Sequence, residues 1–362
     1  MANLFSLRLC EKNMNNNYLI IMAGGIGSRF WPMSTPETPK QFLDILGTGQ
    51  TMIQQTIKRL DGIVPIENVY IVTGKRYKAL INEQLPEVKD EQILMEPCMR
   101  NTAPCIAYAA YKINKRNPDA NIVVAPSDHL ITNDVEYRRI ITEGLDFVAS
   151  NDVLLTLGIH PHRPETGYGY IQAGELVNNA TNKVVAFKEK PNLKTAEKYL
   201  AEGNYFWNAG IFLWSARSIV KAFESYLPKV AEIFRSGETT YYTQEEQAFI
   251  DEQFPMCENI SVDYGIMERA DNIYVMPADF GWSDLGTWGS LWEKRERDEQ
   301  GNSVVGDAVK TYDCEDNIIT VPNGRKVVLQ GLKDCIVTEA NGVFMVCQKS
   351  DEQRIKEFQK ES

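Results

Sequence analysis

The chain has no CxxC pair, only three histidines, and no apolar run long enough to span a membrane. Its seven cysteines (10, 98, 105, 257, 314, 335 and 347) are an odd number scattered along the sequence. That argues against a disulfide framework and reads as reduced thiols of a cytoplasmic protein. His129, His160 and His162 stand at no zinc-ligand spacing with them. Basic residues are scarcer than acidic ones, 38 against 49, for a net charge of −11. A general nucleic-acid binder would show the opposite balance, so no nucleic-acid partner is expected. Residues 1–17 lack an apolar core followed by a small-residue cleavage site, which leaves a loose lead-in rather than a signal peptide. No internal repeat or low-complexity tract is visible. What is present is an ordinary globular composition, 43% hydrophobic and 24% charged over 362 residues. That length holds two domains, or one large α/β domain with an appendage.

The most informative stretch is 18–42. An apolar run, Tyr18 to Ala23, ends in Gly24-Gly25-Ile26-Gly27-Ser28-Arg29. Such a run bounded by glycine fits a buried strand of a parallel sheet. The glycines leave a bend without side chains, whose backbone N–H groups can close on an anion. Arg29 follows at once, and Lys40 arrives after a loop punctuated by Pro32, Pro36 and Pro39. One strand end thus offers bare backbone, a guanidinium and an ammonium to a polyphosphate. The dinucleotide fingerprint fails because its third glycine falls on Phe30, and the GxxxxGK[ST] loop fails at Arg29 and Phe30. Taken alone, the glycines also fit a plain strand-to-helix turn.

Joined to Trp31-Pro32 and Pro39-Lys40-Gln41-Phe42, the segment resembles the GGxGxR…WP…PK signature of sugar-1-phosphate nucleotidyltransferases. Within them it resembles the mannose-1-phosphate guanylyltransferases. The likeness covers 18–295 densely and 300–350 more loosely. It implies a Rossmann-like, glycosyltransferase-A-like catalytic domain and a partial left-handed β-helix after it.

Along the chain, helical spacing at 52–61, 76–85 and 103–116 alternates with strand-like runs at 68–73, 91–95 and 121–125. The alternation predicts an α/β fold with a doubly wound, mostly parallel sheet. From 153 onward strands and turns dominate, with helices at 193–202, 216–225 and 243–254 and strands at 205–215 and 273–276. From 301 short β-branched runs separated by Gly, Asn and Asp predict a small β-rich unit, and 350–362 reads as a helix. The expected organisation is a lead-in at 1–17, a catalytic domain at 18–295, a β-rich domain at 301–350 and a helix at 351–362. The β-rich part suits packing or self-association, a homodimer being the assembly considered.

The resemblance assigns roles residue by residue. Ala23, Gly24, Gly25, Gly27, Ser28, Arg29 and Lys40 would hold the nucleotide, with Glu96, Arg100, Asn101 and Thr102 beside the guanine and Ser127 and Asp128 at the next strand end. Asn101 and Thr102 also fit simple helix caps, and Asp128 fits a turn residue. Asp128 and Asp284 would bind Mg2+, which takes one or two carboxylates plus substrate phosphates. Tyr168, Gly169, Glu189, Lys190, Asn208, Gly210 and Asp263 would bind the sugar phosphate. Glu189-Lys190 also reads as a solvated charge run, and Asp263 as an exposed turn residue. Arg29, Lys40 and Lys190 are the candidate catalytic residues. A phosphate monoester's second pKa is about 6, so a sugar 1-phosphate attacks as a dianion without a general base. The expected reaction joins GTP and mannose 1-phosphate. Rival readings are a transferase for another hexose 1-phosphate or nucleotide, such as glucose 1-phosphate with UTP or dTTP, and a catalytically silent nucleotide-sugar sensor. Because the sequence stops before the isomerase domain that some family members carry, transferase activity alone is expected.

Overall fold

The computed structural model describes residues 16–25 and 28–361. The chain divides into two compact units. The first takes Met1–Gly24, Thr56–Ser127 and Ile131–Trp282; the second takes Gly25–Gln55, Asp128–Leu130 and Ser283–Ser362.

The first unit is built on a nine-stranded sheet in the order β3-β2-β1-β4-β8-β5-β9-β7-β6. Its strands are β1 (Asn17–Met22), β2 (Val69–Gly74), β3 (Ile93–Glu96), β4 (Asn121–Pro126), β5 (Leu154–Ile159), β6 (Tyr170–Asn178), β7 (Thr181–Lys188), β8 (Tyr205–Ser215) and β9 (Ile273–Ala278). The first four pair in parallel, and their β-branched residues are buried on both faces. Beyond β4 the sheet is mixed: β8 runs antiparallel to both β4 and β5, whereas β5 and β9 are parallel.

Among the described residues up to 253 the α-helices are α1 (Met52–Lys58), α2 (Lys78–Gln84), α3 (Thr102–Arg116), α4 (Asp134–Ser150), α5 (Leu193–Glu202), α6 (Ala216–Tyr226), α7 (Pro228–Ser236) and α8 (Glu246–Gln253). Helix α4, over 134–150, has no counterpart among the elements the sequence predicts. There Tyr137, Ile140, Ile141, Leu145 and Val148 form one buried face, and Asn133 caps the helix by accepting from the Glu136 N–H. Gly144 lets α4 press onto the sheet, since a Cβ there would lie 2.9 Å from Leu213 Cδ2. A buried ion pair, Lys112 Nζ to Glu246 Oε1 at 2.7 Å, joins α3 to α8, and the Tyr108 hydroxyl donates to the same oxygen at 2.6 Å.

In the second unit a short helix, α9 (Trp288–Lys294), begins with a capping box between Thr287 and Ser290. It leads to parallel stacks, β10 (Ser303–Val305), β12 (Ile318–Thr320) and β14 (Cys335–Ala340) in one, β11 (Val309–Tyr312) and β13 (Val327–Gln330) in the other. Strand β15 (Val343–Gln348) closes the larger stack antiparallel to β14. Two buried asparagines set the register of the coils. Asn317 Nδ2 donates to Asn302 Oδ1 at 2.8 Å, and the Cys335 N–H donates to Asn317 Oδ1 at 2.9 Å. Asp313, Asp316 and Asp334 turn the corners with positive φ.

The C-terminal helix α10 (Ile355–Glu361) belongs to the same core. Ile355 is fully buried among Phe30, Leu285, Trp288, Ile318 and Ile336. Ile355→Ala should therefore cost about 2–5 kcal/mol through lost contact and a residual cavity. Denaturant unfolding followed by tryptophan fluorescence reads this, since Trp288 lies in the same cluster. An unchanged midpoint would mean that α10 is not part of the core.

Candidate active site

The residues expected to bind ligand fall into three clusters, two in the first unit and one in the second. The first lies at the ends of β1, β2 and β3. The Ala23 N–H donates to Val72 O at 2.8 Å, and Thr73 Oγ1 donates to Ala23 O at 2.9 Å. These bonds deliver Gly24 to a cavity of about 310 Å³, lined also by Gly74, Lys75, Arg76, Tyr77, Glu96 and Met99. The Glu96 side chain is buried, and its Oε1 has no hydrogen-bond partner. Burial pushes its carboxyl up to about 7, only partly offset by a bond from the Cys105 thiol. Gly74 to Tyr77 were not expected at a site. Their signal was position, at the C-terminal end of a parallel strand, where α/β sheets bind ligands. Lys75 is paired with Asp251 at 2.5 Å, and the Arg76 guanidinium lies 4.7 Å from the Tyr77 ring centre.

Arg100, Asn101 and Thr102 make bonds of a different kind. The Arg100 guanidinium donates to Pro255 O at 3.1 and 2.6 Å. Asn101 caps α3 with φ at 66°, its side chain accepting from the Thr102 N–H. Thr102 Oγ1 accepts from the Val262 N–H at 2.9 Å. Arg100 and Thr102 pin the start of α3 to the 255–262 segment, while Asn101 caps it locally. Ser127 is buried, its N–H bonded to Met22 O at 3.1 Å.

The second cluster collects the residues expected to bind the sugar phosphate. The Asn208 N–H donates to Gly169 O at 2.8 Å, and the Lys190 N–H donates to Tyr168 O at 3.2 Å. Asn208 is held at both ends of its amide: Oδ1 accepts from the Gly210 N–H at 3.0 Å, and Nδ2 donates one hydrogen to Asp263 Oδ1 at 2.9 Å. A Cβ at Gly169 would displace the Glu189 carboxylate, whose Oε2 stands against that position. Tyr168 stands edge-on to Trp207 and Trp282. Asp263 opens a π-helical turn, Asp263–Met267, a local irregularity common at functional sites. Burial raises its carboxyl to about 6, Glu189 adds to the rise, and the bond from Asn208 opposes it. Lys190 reaches Glu189 Oε1 at 2.5 Å from a left-handed backbone, φ 45°, with 60% of its side chain exposed. Burial would lower its pKa, but Glu189 outweighs that and the ammonium is held above its ordinary value.

The third cluster, in the second unit, surrounds a polar cavity of about 310 Å³ lined by Arg29, Phe30, Lys40, Asp128, His129, Asp284, Leu285, Gly286 and Lys356. Gln41 Nε2 donates to Gly25 O at 3.1 Å and so holds the glycine loop, whose Gly27 lies outside the described residues. Ser28 begins the 3-10 turn Ser28–Phe30 that carries Arg29. Lys40 is buried, and its ammonium meets three acceptors: Asp284 O at 2.7 Å, Leu285 O at 3.3 Å and Asp128 Oδ2 at 3.0 Å. Burial alone would raise the Asp128 carboxyl, but Lys40, then His129, outweigh it and hold it below the usual carboxylate range. The Asp284 carboxylate accepts from the Gly286 N–H at 3.0 Å, and Arg29 Nη1 donates to Gly286 O at 3.2 Å. The sequence assigns no role to Phe30, His129, Leu285 or Gly286, and gives no sign of Lys356, yet all five line the cavity.

The donor chemistry suits a hard divalent cation. Asp128 and Asp284 put two carboxylates on one polar cavity, the number magnesium takes when substrate phosphates and water complete its shell. Among the described residues no group of three or more His, Cys, Asp or Glu is placed to hold a metal ion.

The chain matches the nucleotidyl transferase family over residues 18–301. It is 36% identical to mannose-1-phosphate guanylyltransferase ManC of Salmonella typhimurium, over 94% of this chain and 72% of that protein. Identity to a mannose-1-phosphate guanylyltransferase of Escherichia coli is 35%, again over 94% of this chain and 72% of that one. The crystal structure of a mannose-1-phosphate geranyltransferase from Thermus thermophilus has a TM-score of 0.86 at 28% identity, covering 96% of this chain and 99% of that one.

Gly286 offers a direct test of the third cluster. A Cβ there would lie 2.7 Å from Asp284 Oδ2 and 2.9 Å from Arg29 Nη1, both movable side-chain ends. Gly286→Ala should thus displace the carboxylate and the guanidinium while changing unfolding free energy by less than about 1 kcal/mol. Nucleotidyl transfer should fall by about a hundredfold, the effect of misplacing reacting groups by an ångström. Wild-type turnover would show that neither group is positioned for the reaction.

Proposed function

We propose that this chain, which belongs to the nucleotidyl transferase family, transfers GMP from GTP to α-D-mannose 1-phosphate and releases pyrophosphate and GDP-mannose. The observation that carries the choice of base is Glu96. A buried carboxylate with an unpartnered oxygen at a cavity beside the glycine loop is matched to a guanine edge. Its two oxygens accept from N1–H and the exocyclic amine, whereas adenine presents a lone pair at N1. Each buried polar group left unpaired by the wrong base costs about 1–3 kcal/mol.

In the second cluster Glu189, Asn208 and Asp263 are the hydroxyl-recognising groups, and Gly169 lets a hexose approach the backbone. Lys190, exposed and cationic, takes the sugar's phosphate and aims its oxygen. That oxygen forms a bond to the α-phosphorus of GTP in line with the bond that breaks, and the electron pair leaves on pyrophosphate. No general base is needed, because the attacking phosphate is already deprotonated at neutral pH.

In the second unit's cavity, magnesium on Asp128 and Asp284 would neutralise charge on the phosphates. Lys40 keeps Asp128 ionised and fixed, and Arg29 faces the developing charge of the leaving group. Reduced cysteines fit work in the cytoplasm, and no helix among the described residues is long and apolar enough to cross a membrane.

Pyrophosphate release measured across GTP, ATP, UTP and dTTP, each with mannose or glucose 1-phosphate, tests this reading. GTP with mannose 1-phosphate should give the highest kcat/KM. The preference for GTP over ATP should also depend on pH. Guanine binds the ionised carboxylate, and Glu96 titrates near 7 when the cavity is empty, so below that value binding must first expel a proton. The GTP-to-ATP ratio should rise between about pH 6 and 8, on either side of that value, and Glu96→Gln should flatten it. A higher kcat/KM for UTP or dTTP with glucose 1-phosphate would overturn the guanylyl assignment.

A further inference from the structure

The third cluster holds two carboxylates and three cations, and two of the cations are already engaged. Lys40 has three ammonium protons and three protein acceptors. Arg29 donates to the Gly286 carbonyl. Lys356 also lines this cavity, and its ammonium has no hydrogen-bond or ion-pair partner among the described residues.

Its position is fixed by its neighbours. Ile355, the residue before it, is fully buried beside Phe30, Leu285 and Trp288, which flank Arg29 and Asp284 in sequence. Glu352, one turn earlier, accepts from the Gly289 N–H at 2.9 Å. The C-terminal segment is therefore anchored onto the two loops that carry Arg29 and Asp284, and Lys356 projects at their shared cavity.

We propose that Lys356 is a substrate-binding residue that takes the β- and γ-phosphates of the nucleotide and, after transfer, the departing pyrophosphate. This rests on the reading of the cavity as a phosphate and magnesium site. The charge balance favours such a group. A triphosphate carries about four negative charges near neutral pH, following the phosphate pKa values, and one divalent cation leaves about two uncompensated. Lys40 is committed to Asp128 and the 284–285 carbonyls, so Lys356 joins Arg29 in meeting that excess. An exposed lysine on a flexible stem also suits a ligand that must leave after each turnover.

The test uses the full chain with Lys356→Met and Lys356→Arg, with magnesium pyrophosphate as the probe. Calorimetry should show pyrophosphate binding weakened about ten- to a hundredfold in Lys356→Met, the range for one charge-assisted bond, and largely recovered in Lys356→Arg. The KM for GTP should rise in parallel while that for mannose 1-phosphate changes by less than about threefold, within the scatter of indirect effects. Melting temperatures should match wild type because the side chain is exposed. If wild type binds pyrophosphate and Lys356→Met binds it equally well, the role of Lys356 is refuted and the cavity reading stands. If wild type fails to bind magnesium pyrophosphate, the cavity reading falls and this inference with it. An equal loss in Lys356→Arg and Lys356→Met would also refute it, since the charge would then not be what matters.

Discussion

The second unit's chemistry depends on where the Lys40 ammonium is buried. A cation taken out of water is costly unless each proton finds an acceptor. Here the acceptors are Asp128 and the carbonyls of Asp284 and Leu285. The two carbonyl bonds fasten Lys40 to a turn far away in sequence, and the third ties it to Asp128. The turn is itself strained, since Leu285 has φ at 44° yet is fully buried in the apolar cluster. The packing of Leu285 and the charge of Lys40 thus hold the same turn from two sides. Asp284 and the Gly286 carbonyl follow from that conformation.

Burial acts oppositely on the carboxylates of the protein, according to what faces them. Asp128 keeps its charge because Lys40 and His129 outweigh desolvation. For Glu96 and Asp263 no cation outweighs it, and burial lifts them to about 7 and about 6. The first behaviour suits a group that must stay anionic beside a metal ion. The second suits groups that exchange proton or hydroxyl contacts with a neutral base edge or a sugar. One side-chain type is therefore held in different charge states by its surroundings.

Much of this was legible in the sequence where chemistry and strand ends coincide. The glycine loop, Asp128, Asp284 and the 166–171 and 208–210 segments stand out because glycine, carboxylate or amide interrupts an apolar run. Helix α4 had a readable apolar face over 134–150 but no strong start signal beyond Asn133. Arg100, Asn101 and Thr102 show the limit of motif reading. Their residue types suit ligand or cap equally, and the bonds to Pro255 and Val262 become visible only in three dimensions. The coils after 301 repeat through buried asparagines 15 residues apart, Asn302 and Asn317, too few copies to register as a repeat. Lys356 had no local signal, for a lysine in a short charged helix reads as solvated surface.

The proposed mechanism rests on Asp128 and Asp284 acting as one unit on one divalent cation. The most direct measurement is a double-mutant cycle on turnover with Asp128→Asn, Asp284→Asn and the pair, at saturating GTP, mannose 1-phosphate and magnesium. Each change removes a ligand charge but keeps shape. The account predicts that each single variant loses most of the activity and that the double variant is little worse, because a shared site cannot be dismantled twice. Losses that multiply, or near-normal turnover in Asp284→Asn, would contradict it.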